Sequence, residues 1–290
     1  LKLNPTHTPV TTAGSSHQRP PQTPLMKPCV SMTAGSPASA LDAPQPMAQR
    51  APMFPIRDHN PSGRVPYVTY ALMAANIGIF LSMLPIAGDE RALAQVYYNY
   101  ALLPRRVMEG DGYNALLSSQ FLHAGWAHIA GNMLFLWIFG DNIEDEMGHA
   151  PFLGFYLLAG ALSGYAHVLA DPSSYIPTVG ASGAIAGVMG AYLLLFPKAR
   201  VDILFFVRIF PIPAWIMLMV WFAMQFVGGL GAQPETGGVA YWAHSGGFIA
   251  GLLLALPLWL KRGGPKFWKA THGHPPHPPA RYEMPKVKRK

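Results

Sequence analysis

The sequence has 290 residues, of which 51% are hydrophobic and only 12% are charged, whereas soluble domains carry about 25% charged residues. The formal net charge of +7 comes with basic residues in tails and short loops and with no nucleic-acid-binding motif, which argues against a nucleic-acid binder. The single cysteine, Cys29, excludes an internal disulfide, and the apolar composition indicates a membrane protein.

The first 60 residues differ in composition from the rest of the chain. They are rich in Pro, Ser, Thr, Ala and Gln, and such a segment cannot bury a hydrophobic core. It also lacks the apolar run of a signal peptide. We therefore expect 1–60 to be a disordered N-terminal extension. The sequence leaves open whether 1–52 remain in the mature protein.

Residues 61–262 are expected to form one membrane domain with an all-α fold, a polytopic bundle of six transmembrane helices. Six hydrophobic segments follow one another, each close to the roughly 20 residues that a helix needs to cross a bilayer. The moderately polar segment 87–120 is long enough to fold as a small subdomain. The six expected spans are 67–86, 125–139, 151–169, 179–196, 209–229 and 241–260.

The C-terminal residues 263–290 are basic and rich in Pro and His. We expect a disordered tail. His272, His274 and His277 form a His/Pro tract that could bind a metal weakly. A solvated tail is the favoured interpretation, so no metal site is predicted here.

The distribution of Lys and Arg predicts the orientation, because cytoplasmic loops are enriched in both. Basic residues cluster before the first span, after the fourth and after the sixth. In a six-span protein these three regions share one side, so both termini are expected in the cytoplasm. The acidic loop at 141–149 and the arginines of 87–120 weaken this count. Spans two, four and six then all begin at the outer face.

Four polar residues occur near the outer ends of these three spans: His128 and Asn132 in the second, Ser182 in the fourth and His244 in the sixth. Polar residues inside membrane helices are costly and mark functional sites. Taken singly, the serine could bond to its own helix backbone, and a histidine could lie at the interface. Their similar depth, together with glycines spaced by four in spans four and six that allow close packing, predicts that they meet.

These residue types suggest nucleophilic catalysis. A serine hydroxyl becomes a nucleophile when a neutral imidazole takes its proton, which assigns Ser182 as nucleophile and His244 as base. His128, Asn132 and the Ser182 backbone N–H could donate hydrogen bonds to the developing oxyanion. Spans two, four and six carry no carboxylate at this depth, so the residues predict a dyad and not a triad.

At this point the sequence resembles the rhomboid family of intramembrane serine proteases, over about 54–261. The resemblance rests on FLH at 121–123, HIAGNM at 128–133, GASGA at 180–184 and AHSGG at 243–247. It implies the same roles for Ser182, His244, His128 and Asn132, and a structural role for Glu144. It also implies cleavage of transmembrane protein substrates in or near their membrane segment, with the lipid bilayer as surroundings and no cofactor.

The chain departs from the family pattern at two points. Many members have an aromatic residue four positions after the serine, stacked on the catalytic histidine, and here that position is Ala186. The Trp-Arg pair of the first loop is not evident either. The groups that perform the chemistry remain, but the sequence leaves open what supports the His244 ring.

Two other functions use similar intramembrane residues. An inactive rhomboid-like protein could bind membrane clients without cutting them, but the chain retains Ser182 and His244. A transporter or channel could also use intramembrane polar residues, but no internal repeat is evident.

We further expect the Gly-rich loop 228–238 to act as a lid over the site. A bacterial inner membrane is the expected location.

Overall fold

The computed structural model describes residues 54–60, 62–205, 208–231 and 238–273, and its main element is a helical bundle. The predicted all-helical membrane bundle is thereby confirmed as the fold class. The helices are α1 (Tyr67–Met83), α2 (Glu90–Tyr100), α3 (Pro104–Met108), α4 (Ala115–Ser118), α5 (Trp126–Met147), α6 (His149–Ala170), α7 (Ser182–Leu195), α8 (Ala214–Gly231), α9 (Tyr241–Lys261) and α10 (Pro265–Thr271).

The six predicted spans correspond to α1 and α5 to α9, but the fifth, 209–229, begins too early, because residues 209–213 form a β-strand and α8 starts at Ala214. Among the described residues, four segments are long and apolar enough to cross a membrane: Tyr67–Ile86, which is α1 with the 3₁₀ turn after it, and α6, α8 and α9. Helix α7 has only 14 residues and is almost wholly buried. Helix α5 has 22 residues, but its last turns are acidic. Six crossings therefore stay a prediction for α5 and α7.

The segment 87–120, predicted as a small subdomain, folds into α2, α3 and α4. Asp89 caps α2, because its side chain accepts hydrogen bonds from the Arg91 and Ala92 backbone N–H groups at 2.9 and 3.1 Å. The subdomain packs on the bundle near the N-terminal end of α7, since the Leu102 and Thr178 backbones form a two-way β-bridge. It therefore borders the end of the bundle that carries the candidate site residues.

Helices α7 and α9 approach each other through glycines. A Cβ on Gly187 would lie 3.3 Å from the Gly247 carbonyl oxygen and 2.6 Å from the Ala159 Cβ on α6. A Cβ on Gly251 would overlap the Gly187 backbone, and one on Gly190 would overlap the Phe248 carbonyl. The small-residue spacing read from the sequence thus corresponds to a backbone-to-backbone crossing.

A three-stranded antiparallel sheet, which the sequence analysis missed, lies beside the C-terminal half of α5. Its order is β1–β2–β3, with strands β1 (Phe54–Asp58), β2 (Arg200–Phe205) and β3 (Arg208–Pro213). Strand β1 pairs with β2 from Phe54 opposite Leu204 to Asp58 opposite Val201. The strands are short and interrupted by prolines, so their alternation was too weak a signal.

Two boundaries from the sequence analysis need correction. The predicted disordered extension, 1–60, ends too late, because Phe54–Asp58 pairs with β2 and therefore belongs to the folded domain. The predicted tail, 263–290, begins too early, because α10 (Pro265–Thr271) follows α9 directly. Helix α10 is held by burial of Phe267 and by the Trp268 indole, which donates to the Leu194 carbonyl at 2.8 Å. Residues 1–53 and 274–290 lie outside the described part.

A polar cluster ties β1 to α5 and α7. The Asp58 carboxylate accepts hydrogen bonds from the Tyr192 hydroxyl at 3.0 Å and from the Asn142 amide at 2.8 Å. Asn60 also donates to the Tyr192 hydroxyl. Burial raises the pKa of Asp58 to about 7, and the nearby Asp141 carboxylate adds to the shift. The cluster fixes the first strand to the bundle at the end opposite Ser182.

Glu144 caps helix α1 at the same end of the bundle. Its carboxylate accepts from the backbone N–H groups of Val68 and Thr69 at 2.8 and 2.7 Å, and from the Thr69 hydroxyl at 2.7 Å. His149 contacts it at 2.5 Å. Because the first N–H groups of a helix lack backbone partners, a buried carboxylate here joins α5 to α1. This is the structural role that the family resemblance implies.

Ion pairs account for the acidic loop that weakened the orientation prediction. Arg262 lies 2.7 Å from Glu146, and Arg64 lies 3.5 Å from Asp145. The acidic residues therefore share a face with basic residues from both ends of the membrane domain. Acidic residues contribute little to the positive-inside rule, and the basic residues at this face fit a cytoplasmic position.

The arginines of 87–120 are likewise offset by acidic neighbours. Arg105 lies 2.6 Å from Glu109, and Arg106 lies 2.5 Å from Asp111. The positive-inside rule counts Lys and Arg and not net charge, so these pairs do not remove the arginines of 87–120 from the count. Cytoplasmic termini stay a prediction.

We predict that Gly251→Ala lowers the free energy of unfolding by about 1–3 kcal/mol, because the added methyl group overlaps the Gly187 backbone. The control is Gly154→Ala on α6, where nothing lies within 4 Å of the added atom. It should be neutral or raise stability by up to about 1 kcal/mol through helix propensity. Unfolding in detergent micelles measures both. Equal effects of the two changes would contradict the crossing.

Asp58 predicts a pH dependence of stability. Its pKa is about 7 in the folded chain and about 3.8 otherwise, so the folded state holds the proton more tightly. The contribution of protonated Asp58 to the free energy of unfolding is complete below about pH 3.8 and is lost as pH rises through about 7. Wild type should therefore lose stability relative to Asp58→Asn between about pH 4 and 7. Unfolding of both proteins across this range measures it, and a constant difference would contradict it.

Candidate active site

The Ser182 hydroxyl and the His244 imidazole form a hydrogen bond. The Ser182 Oγ lies 2.8 Å from the His244 Nε2, a normal length for a strong hydrogen bond. The two residues are 62 positions apart in the sequence and are brought together by the glycine crossing of α7 and α9. The structure therefore places the predicted nucleophile and base at the distance that proton transfer requires.

Ser182 is the first residue of α7, and the backbone before it is shaped by Gly180. Gly180 has φ +128°, which side chains other than glycine rarely adopt. Its N–H donates to the Ser119 carbonyl at 2.9 Å. The first backbone N–H groups of a helix have no carbonyl partner within that helix and carry the positive end of the helix dipole. The serine hydroxyl thus lies next to free backbone donors.

His128 and Asn132 lie one turn apart at the start of α5 and face the same cavity as Ser182 and His244. A Cβ on Gly180 would lie 2.7 Å from the His128 Nε2 and 3.5 Å from the Ser182 Oγ, so the histidine borders the serine. Asn132 is buried, and its amide nitrogen has no hydrogen-bond partner among the described residues. All four residues predicted from the sequence are therefore brought to one place.

Two residues of α8 that the sequence analysis missed contact His244. The Gln225 Oε1 lies 2.8 Å from the His244 Nδ1. The Trp221 ring lies over the imidazole with centroids 5.9 Å apart and planes tilted by 32°. Gln225 is an amide in an apolar span, the kind of residue that signals function in a membrane, and this signal could have found it. The ring support left open by Ala186, itself buried, comes from another helix.

The four residues line a cavity of about 750 Å³ that contains both polar and apolar surface. Further lining comes from the ends of α6 and α9, from the middle of α8 and from the segment before α7, including His167, Asp171, Thr178, Trp221 and Tyr241. Such a volume holds water and several residues of an extended peptide.

Most of the predicted lid, 228–238, lies outside the described residues. Within the described part, no cluster of three His, Cys, Asp or Glu side chains has metal-site geometry.

Fold and site together define a helical membrane protein with a serine–histidine pair in a cavity of its helical bundle. A Rhomboid domain model matches residues 111–261, slightly more than half of the chain. The chain therefore belongs to the rhomboid family and is a multi-pass integral membrane protein. The matched range includes Ser182, His244, His128 and Asn132.

Several curated proteins are similar to this chain. Rhomboid protein 1, mitochondrial, from Saccharomyces cerevisiae is 33% identical over 193 residues, 64% of this chain and 51% of the relative. Rhomboid protease GluP from Bacillus subtilis is 30% identical over 199 residues, which are 69% of this chain and 36% of the relative. The human presenilin-associated rhomboid-like protein, mitochondrial, is 29% identical over 167 residues, which are 55% of this chain and 38% of the relative. The chain thus spans about half or less of the length of these relatives.

Proposed function

We propose that this protein is an intramembrane serine endopeptidase that cleaves transmembrane proteins within or near their membrane segment. The observation that carries the proposal is the 2.8 Å hydrogen bond between the Ser182 Oγ and the His244 Nε2 inside the cavity. Membership of the rhomboid family supports it, and the relative from Bacillus subtilis is named as a protease.

The reaction follows from the positions of the two side chains. His244 Nε2 accepts the Ser182 proton while Oγ attacks the scissile carbonyl carbon, and the carbonyl oxygen becomes an oxyanion. The protonated imidazole then gives this proton to the leaving amine, which breaks the C–N bond and leaves an acyl ester on Ser182. Water, deprotonated by His244, hydrolyses the ester and restores the hydroxyl.

The oxyanion would be stabilised by donors that surround Ser182. The backbone N–H of Ser182 lies at the N-terminus of α7, and the Asn132 amide is buried without a partner in the described structure. His128 adds a ring N–H from the same face of α5. Donors that are fixed before reaction act strongly in a cavity shielded from bulk solvent, where each is worth about 10²- to 10³-fold in kcat.

The substrate would be a membrane-spanning segment that can extend locally. A peptide bond inside a helix is covered by its own hydrogen bonds, so a segment entering the 750 Å³ cavity must unwind around the cleaved bond. The exposed apolar residues of α8, such as Met224 and Val227, face the surrounding lipid. Substrate and enzyme therefore meet within the bilayer.

For the location, we propose a bacterial inner membrane with both termini in the cytoplasm. Arg64 and Arg262, which lie at the face where α5 and α9 end, support this orientation. Relatives from a bacterium and relatives named as mitochondrial both match.

A fluorescent protein fused after residue 290 should fluoresce in bacterial cells, and a periplasmic C-terminus would contradict the orientation.

The alternative function is an inactive binder of membrane clients. Such a protein gains nothing from a histidine whose Nε2 is held on a serine hydroxyl, and the observed pair therefore favours the protease. Binding of a transmembrane client by a protein that leaves it uncut would favour the alternative.

We predict that Ser182→Ala and His244→Ala each reduce cleavage of a labelled transmembrane substrate in detergent by about 10³-fold or more. His128→Ala and Asn132→Ala should lower kcat by about 10²- to 10³-fold with little change in KM, because the oxyanion exists only in the transition state. Ser173→Ala, at an exposed serine in the loop after α6, is the control. Cleavage that persists in Ser182→Ala would overturn the proposed nucleophile.

A further inference from the structure

We propose that Gln225 and Trp221 of α8 are positioning residues that hold His244 in the tautomer and orientation needed to deprotonate Ser182. This inference rests on the proposed protease function and deepens it. It assigns to an amide and an indole the work that a carboxylate and a neighbouring aromatic perform in other serine hydrolases.

The two ring nitrogens of His244 have different neighbours, and together these specify one tautomer. Nε2 must carry a lone pair to accept the serine proton, so the ring proton must be on Nδ1. Nδ1–H then donates to the Gln225 Oε1, 2.8 Å away. The opposite amide orientation would donate to Nδ1 and place the proton on Nε2, where it blocks the base. The amide oxygen therefore selects the reactive form.

An amide suits this location better than a carboxylate. Helix α8 carries no charged side chain, and an ionised carboxylate within an apolar span is costly to desolvate. A glutamine oxygen still accepts a hydrogen bond from the Nδ1–H and, through the dipole of the amide, still stabilises the imidazolium that forms during reaction. The chain thus obtains the orienting bond of a triad without burying a charge.

Trp221 supplies the second constraint, on the plane of the ring. Trp221 and Gln225 are one helical turn apart and therefore share a face of α8. The indole contacts His244 at 5.9 Å and also Phe248, one turn further along α9, at 6.1 Å between centroids. Phe248 stacks in turn on Phe222 at 4.9 Å. The contacts hold the imidazole from the α8 side, which leaves Ala186 free to be small at the crowded α7–α9 crossing.

The other titratable groups around His244 do not hold its Nδ1, so this role belongs to Gln225 on α8. His128 on α5 and His167 on α6 are the histidines that face the same cavity, and Asp171 lines it at the end of α6. His167 is engaged with the Thr178 hydroxyl at 3.0 Å. Among the described residues, Gln225 is the side chain within hydrogen-bond distance of the His244 Nδ1.

The test compares Gln225→Met, Gln225→Glu and wild type by kcat, KM, thermal stability and pH–rate profile. Gln225→Met keeps the volume but removes the acceptor, so kcat should fall about 10- to 100-fold while KM stays within about twofold. Gln225→Glu restores an acceptor, so it should retain more activity than Gln225→Met. It should also move the acid limb of kcat/KM to higher pH, because a carboxylate favours the protonated imidazole.

The control is Gln95→Met, the same exchange at an exposed glutamine on α2, which should leave all four measurements unchanged. If Gln225 only fills space, activity will follow the folded fraction and Gln225→Glu will keep the wild-type acid limb; this result overturns the inference while wild type still cleaves. If wild type itself does not cleave, the proposed function fails and the inference fails with it. If Gln225→Met does not fold, the acid limb of Gln225→Glu alone tests the inference: a shift to higher pH supports it, and the wild-type limb overturns it.

Discussion

The contact on which the rest of the structure depends is the close crossing of α7 and α9. Gly187 and Gly251 bring the two backbones so near that neither position has room for a side chain. The crossing sets the separation of the helix N-terminal ends, and therefore the 2.8 Å bond between Ser182 and His244. It also limits what else fits there. An aromatic residue at the position of Ala186 would have to share this crowded layer, and support for the histidine comes from α8 instead.

The two ends of the bundle differ in how their buried polar groups are hydrogen-bonded. At the end away from the site, Glu144 holds α1 and the Asp58–Tyr192 pair holds β1, each through several hydrogen bonds. At the site end, polar groups are left with unused donors, such as the Asn132 amide in the described structure. Satisfied polar groups stabilise, whereas unsatisfied ones are available to a substrate.

Much of the site could be predicted because membrane helices make polar residues conspicuous. Ser182, His244, His128 and Asn132 stood out from apolar surroundings at matching depth. Gln225 obeyed the same rule but lay in a span without a family motif, so only its 2.8 Å contact with His244 revealed it. The small sheet escaped prediction because pairing between β1 and β2 joins segments about 145 residues apart, and no local periodicity encodes such a contact.

We propose that the helix crossing makes Ser182 a nucleophile through His244. The most direct measurement is reaction of the folded protein in detergent with a serine-directed fluorophosphonate, followed by peptide mapping of the adduct. We expect one adduct, on Ser182, that is absent from denatured protein and from His244→Ala. A folded wild-type protein that forms no adduct, or forms it on a different serine, would contradict this role of Ser182 and His244.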